Sequence, residues 1–286
     1  MSKFIWSGFA DEIDPMIDIQ IAQMKRFGIS YIEMRGVNGS NIADCTREEI
    51  EQTAKKCEKA GIQISAVGSP LGKIKIHEDM DTHMAKLYDL MEKAKILNTT
   101  YIRIFSFYLP EGEEPEKYRD EVLHRLERMT KAAADAHIVL LHENEKGIYG
   151  DTPERCLDLL ESIGSDSLWA TFDPANFVQC GCEPYPHAYE LLKPYIRYMH
   201  IKDAKEDGMV VPAGQGNGNV PDLLKRLWDD GYEGFLSLEP HLGDFVGFAA
   251  LEEEGEAQKK PQSGADTFEV AVNALHDILK GVEQHG

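Results

Sequence analysis

The stretch Asp230-Gly231-Tyr232-Glu233-Gly234-Phe235-Leu236-Ser237-Leu238-Glu239-Pro240-His241 decides the fold. A helical pattern near 221–230 stops at Gly231, the residue type that accepts a left-handed backbone just past a helix end. A short apolar run follows and is closed by Glu239 and Pro240. The stretch therefore reads as helix, glycine stop, strand and polar strand end. Lys59-Ala60-Gly61-Ile62 repeats the same joint. Working outward, eight short runs rich in β-branched and aromatic residues recur, at 4–9, 31–34, 64–67, 101–105, 138–142, 168–172, 196–201 and 235–238. Helical patterns lie near 15–27, 47–60, 81–97, 116–136, 153–163, 186–193, 221–230 and 265–281, with Thr152-Pro153 as an N-cap followed by proline at the first helical position.

Alternating strands and helices imply a parallel sheet. Eight β/α units close most economically into a (β/α)8 TIM barrel, expected here as one domain over 1–286. An open doubly wound sheet holds as many units, but no GxGxxG follows the first strand and no GxxxxGK[ST] occurs anywhere in the chain. Residues 240–264, with Glu252-Glu253-Glu254 and Lys259-Lys260, read as a long loop after strand 8, either solvated or lying over the site.

Composition narrows the function. The 286 residues are 42% apolar, enough for a large core. Fifty acidic against thirty basic residues give a net charge of −20, which opposes nucleic acid and anionic membranes as partners and makes a neutral polyol or keto-sugar easier to accept than a phosphorylated one. Five cysteines at 45, 57, 156, 180 and 182 form no CxxC pair, and a reduced, cytoplasmic setting fits best. Met1–Gly8 lacks the apolar core of a signal peptide, and no run approaches the ~18 apolar residues of a membrane helix.

In a barrel, chemistry gathers where strands end. Strand five ends His142-Glu143-Asn144, strand six Phe172-Asp173-Pro174, strand seven His200-Ile201-Lys202-Asp203 and strand eight Leu238-Glu239-Pro240. Taken singly, a carboxylate there is as readily a helix cap or a solvated loop residue. Four polar ends on adjacent strands are different, because three converging carboxylates repel one another unless a cation intervenes. Three carboxylates and one imidazole favour a fairly hard divalent ion such as Mn²⁺, Mg²⁺ or Co²⁺, with Zn²⁺ also compatible.

These motifs, together with Phe172-Asp173-Pro174-Ala175-Asn176, Gly214-Gln215-Gly216 and Gly231–His241, resemble the xylose isomerase-like barrel enzymes over essentially the whole chain. That superfamily includes sugar-phosphate isomerases and epimerases, inosose dehydratases and the apurinic endonucleases. The resemblance implies Glu143, Asp173, His200 and Glu239 as ligands of one divalent metal, Mn²⁺ first. It implies Glu143 and Glu239 as the acid/base pair of an isomerase or epimerase working through a metal-stabilised cis-enediolate on a small carbohydrate or polyol. A homo-oligomer is a family-level expectation. Family epimerases commonly carry His where this chain has Asn176, a residue able to hydrogen-bond substrate but not to shuttle a proton. They often have His and Glu where it has Glu145 and Gln215.

Further expectations concern the rim. Lys202 and His241 share the parity of His200 and Glu239 and should face substrate, with a salt bridge as the alternative for Lys202. Arg35 and Arg103 either grip an anionic group or neutralise buried glutamates. Asp203 is expected behind the site, orienting His200 or Lys202. His142, of opposite parity to Glu143, reads as packed. Competing functions are an inosose-type dehydratase or a C-glycoside-cleaving lyase on the same site, and a non-catalytic sugar-binding barrel. The nuclease reading is disfavoured by the acidic charge and by the lack of His ligands on strands two and three.

Overall fold

Eight short strands form the centre of the computed structural model, which describes residues 4–245 and 264–284. They are β1 (Ile5–Gly8), β2 (Tyr31–Met34), β3 (Gln63–Gly68), β4 (Tyr101–Ile104), β5 (Val139–Glu143), β6 (Leu168–Phe172), β7 (Ile196–Ile201) and β8 (Phe235–Leu238). All pair in parallel, in the order β2-β3-β4-β5-β6-β7-β8-β1. β1 and β2 lie side by side at the seam, and among the described residues no ladder joins them. The result is a nearly closed (β/α)8 barrel, as the alternation predicts.

The helices are α1 (Ile17–Arg26), α2 (Arg47–Ala60), α3 (Met80–Ile96), α4 (Arg119–Asp135), α5 (Pro153–Ile163), α6 (Pro174–Gln179), α7 (Tyr189–Leu192), α8 (Val220–Asp229) and α9 (Ala265–Gln284). Their starts follow local chemistry. Thr46 and Glu49 form a reciprocal capping box on α2, while Asp79 and Thr152 each accept a backbone N–H at the start of α3 and α5. Gly61, at φ 73°, ends α2.

Three expectations shift. The helix expected at 116–136 opens with a 3₁₀ turn over Pro115–Tyr118, and the one at 186–193 opens with a wide turn over Pro184–Ala188. α6 adds a short helix to the expected set: Asp173, directly after β6, caps it by accepting the Asn176 N–H at 2.9 Å. Of the long loop 240–264, residues 246–263 lie outside the described residues.

Two features shape the mouth. The β3 loop joins the residues after β4, with Phe105 N–H donating to Leu71 C=O at 2.8 Å and Phe107 N–H to Gly72 C=O at 3.0 Å, so both loops stand as one wall. Inside the barrel the floor is polar. Ser7, Ser237 and His200 share one row of the register, and the Tyr198 hydroxyl hydrogen-bonds Ser65 Oγ at 2.8 Å. Around this floor the apolar faces of strands and helices form a continuous buried core. None of the described helices is long and apolar enough to cross a membrane.

Candidate metal centre

Glu143, Asp173, His200 and Glu239 converge, each offering one ligand atom within 4.8 Å of the others, and all four are buried. The strand pleat explains this: Glu143 ends β5, His200 is the last but one residue of β7, Asp173 and Glu239 directly follow β6 and β8, and all four point inward. His200 is the hub. Its Nδ1 lies 3.0 Å from Glu143 Oε1, 3.3 Å from Glu239 Oε2 and 3.8 Å from Asp173 Oδ2.

Each glutamate has two sides. Glu143 turns Oε1 to His200 and takes an Arg103 hydrogen bond on Oε2 at 2.9 Å. Glu239 turns Oε2 to His200 and takes Arg35 on Oε1 at 3.2 Å. Arg35 is itself fixed by both oxygens of Asp11, at 2.8 and 3.0 Å, and by Glu12 at 3.3 Å, with its guanidinium over the Phe9 ring on one side. Of the two roles open to these arginines, the structure places both against buried glutamates. Lys202 Nζ lies 3.0 Å from Asp173 Oδ2 and 3.1 Å from Glu239 Oε2, and Asn176 Nδ2 donates to Glu143 Oε1 at 3.1 Å. The His241 ring reaches Glu239 and Glu12 at 3.4 and 3.5 Å. A second acidic group, Glu12, Glu239 and His241, gathers on that side, where Arg35 already supplies positive charge.

The electrostatics set burial of the carboxylates against the positive charges around them, and Asp173 is the one of the three left raised. Burial pushes Asp173 up to about 7, with Glu143 and Glu239 adding to the shift against Lys202. Burial also opposes ionisation of Glu143 and Glu239, yet His200 and Arg103 hold Glu143 down to about 2, and Lys202, His241 and His200 hold Glu239 well below the carboxylate range. His200 is raised well above its usual value: burial would lower it, but Glu143, Glu33 and Glu239 prevail. Asp173 Oδ2, wholly buried, accepts no hydrogen bond of good geometry. A buried carboxylate oxygen that has the Lys202 ammonium beside it but no well-formed hydrogen bond, amid two more carboxylates and an imidazole, fits a divalent ion.

One expectation needs correcting. Asp203 does not orient His200 or Lys202. Its carboxylate is taken up by four backbone N–H groups, those of Ala204, Gly214, Gly216 and Gly218, at 2.8–3.0 Å, and it braces the loop beyond β7. The residue behind His200 is Glu33, at the end of β2, whose oxygens lie 3.2 and 3.3 Å from Nε2. Parity could have found it, since Glu33 and Arg35 alternate inward together, but a strand-two glutamate gives no sign in sequence of reaching across the barrel. Asn144 was also missed as a clamp: Nδ2 donates to the Asp173 carbonyl and Oδ1 accepts the Asp173 N–H, both at 2.9 Å. His142, as expected, is packed away, with Nε2 2.9 Å from Ser106 Oγ.

Comparison with known proteins agrees with this architecture. A curated relative, the uncharacterised protein MJ1311 of Methanocaldococcus jannaschii, is 27% identical over 159 residues, 53% of this chain and 54% of that protein. The chain thus spans about half the length of the curated relative it matches. Among solved structures, the probable 3-DHS dehydratase AsbF of Bacillus anthracis superposes with a TM-score of 0.74 at 19% identity, over 96% of this chain and 99% of that one. D-psicose 3-epimerase from Clostridium cellulolyticum H10, solved with D-tagatose, gives 0.72 at 13% identity over 97% and 99%. The IolI protein with a bound zinc atom gives 0.75 at 15% identity over 98% and 99%. At these identities the likeness shows the fold. The model of the family described as xylose isomerase-like TIM barrel matches residues 21–266, and this chain belongs to that family.

Proposed function

We propose that this protein is a divalent-metal-dependent isomerase or epimerase of a small carbohydrate or polyol, with Glu143 and Glu239 as its acid/base pair. The observation that carries this reading is the buried quartet, whose Asp173 Oδ2 has no well-formed hydrogen bond. Glu143, Asp173, His200 and Glu239 would hold the ion, Mn²⁺ by preference for a donor set rich in oxygen. Bound there, it would polarise neighbouring carbonyl and hydroxyl oxygens of a sugar and acidify the C–H between them.

The chain supplies the rest. Glu143 and Glu239 stand on β5 and β8, so they reach substrate from different sides, one removing a proton from carbon and the other returning it. Arg103 and Arg35 hold their outer oxygens, which fixes both carboxylate planes and favours the ionised form. Asn176, Lys202 and His241 present their polar atoms beside the glutamates and would position substrate oxygens. Arg35, Arg103 and Lys202 are each already ion-paired with buried carboxylates, and this favours an uncharged sugar over a phosphorylated one.

The test is deuterium uptake at a substrate carbon, followed by NMR, for metal-loaded protein with a panel of ketoses and inososes. Exchange with an isomeric or epimeric product supports the reading, and loss of water or of an aglycone would move it to a dehydratase or lyase. No exchange from any member of the panel would overturn it.

A further inference from the structure

We propose that Glu33 is the positioning residue of the metal centre, holding the Nε2–H of His200 so that Nδ1 is the nitrogen presented to the ion. The inference rests on the metal reading of the quartet. It starts from a geometric fact: the His200 ring is wholly buried and points its two nitrogens at different carboxylates. Nδ1 faces Glu143 and Glu239, and Nε2 faces only Glu33. A carboxylate has no hydrogen to give, so Nε2 is the donor in that pair. The same rule makes Nδ1 a donor to Glu143 in the metal-free ring; an ion at the quartet would displace the Nδ1 proton while Glu33 keeps the Nε2 proton in place, which leaves the lone pair on Nδ1. Glu33 thereby selects the ligating atom.

Glu33 is equipped for this role. Ser237 Oγ donates to its Oε2 at 2.6 Å and fixes the carboxylate plane. Ser237 stands directly opposite His200 in the β7–β8 register, so acceptor, brace and imidazole belong to one layer of the barrel. Phe9 and Tyr198 set ring edges against the imidazole, at centroid distances of 5.3 and 5.9 Å. Among the described residues no Lys or Arg lies within ion-pair distance of Glu33; His200 is its charge partner. A buried carboxylate so placed spends its charge on one nitrogen, the arrangement by which an outer carboxylate orients a metal-bound histidine and raises its basicity.

The experiment compares full-length wild type with Glu33→Leu, Glu33→Gln and Ser237→Ala. Metal affinity is measured by Mn²⁺ and Zn²⁺ titration against a chelator. The His200 Nε2–H is followed by NMR on ¹⁵N-histidine-labelled protein, metal-free and zinc-loaded. Affinity should fall by roughly 10–100-fold in Glu33→Leu, by less in Glu33→Gln, whose amide oxygen still accepts, and least in Ser237→Ala. A downfield, exchange-protected Nε2–H resonance should be present in wild type and lost in Glu33→Leu. A residue with only a structural role would lower stability while leaving the resonance and the affinity alone, and that result overturns the proposal. If wild type binds neither ion, the metal reading fails, and the Nε2–H resonance of metal-free protein still decides for or against Glu33. If Glu33→Leu does not fold, the ordering of Glu33→Gln and Ser237→Ala decides it.

Discussion

Arg103 donates to Glu143 Oε2 at 2.9 Å while the other oxygen of that carboxylate faces His200 Nδ1 at 3.0 Å. Arg35 and Glu239 repeat the arrangement across the barrel. Each glutamate is thus anchored from outside and turns its other oxygen toward the centre, where Asn176 meets Glu143 and Lys202 meets Glu239.

Removing the anchor leaves a buried charge without its partner. Arg103→Met should destabilise metal-free protein by about 3–5 kcal/mol, the usual cost of breaking a buried pair from one side. Chemical denaturation measures it. Saturating metal should recover part of the loss, because an ion on the inner oxygen compensates the same charge. Equal losses with and without metal would dissociate Arg103 from the site.

The pH dependence of metal-free protein has a definite sign. Asp173 is pushed up by burial to about 7 from 3.8, and Glu12 by burial to about 8 from 4.5. A raised acid favours the folded state below its unfolded value, and that contribution is lost as pH climbs through the folded one. Glu143, held down at about 2, has the opposite sign: its contribution is present above 4.5 and lost as pH falls toward 2. Burial also lowers His83 and His142 to about 4 and His241 to about 3, and holding them neutral makes stability rise with pH up to about 6.5, so the decline from Asp173 and Glu12 should emerge between about pH 6.5 and 8. Asp173→Asn should remove the part of the decline up to about 7, and metal affinity should strengthen over the same range as the ligands lose protons. Melting temperatures across the range test both, and an unchanged slope in Asp173→Asn would contradict the assignment.

Asp203 separates bracing from ligation. Asp203→Ala strips the acceptor from four backbone N–H groups, so a loss on the order of 3 kcal/mol is expected. Metal affinity should stay near wild type when measured well below the melting temperature. A selective loss of metal with normal stability would restore Asp203 to a role behind His200.

Gly72 tests the loop wall. It has φ +87°, and a Cβ there would collide with the Phe105 carbonyl. Gly72→Ala combines a left-handed backbone with that clash, so destabilisation of at least about 1–3 kcal/mol is expected. Thermal melts give its size. Wild-type stability would mean that the two loops can separate without cost.

Much of this molecule is legible in the chain itself. Period-two apolar runs set off by glycine stops make the barrel, and strand parity aims Glu143, Asp173, His200 and Glu239 at one mouth. These are local effects, decided by side-chain alternation and by backbone conformations open to few residues. Partnerships between distant segments are a different matter. Glu33 meets His200 across 167 positions, and Arg35 meets Glu239 across 204. Asp203, so close in sequence to His200, turns instead to the 214–218 loop, because four N–H groups gathered at one point are a better partner than an imidazole that Glu33 already holds. Sequence by itself determined which residues face the centre. Closure of the barrel decided which of them touch, since burial leaves every charge to find its partner among whatever the fold brings within reach.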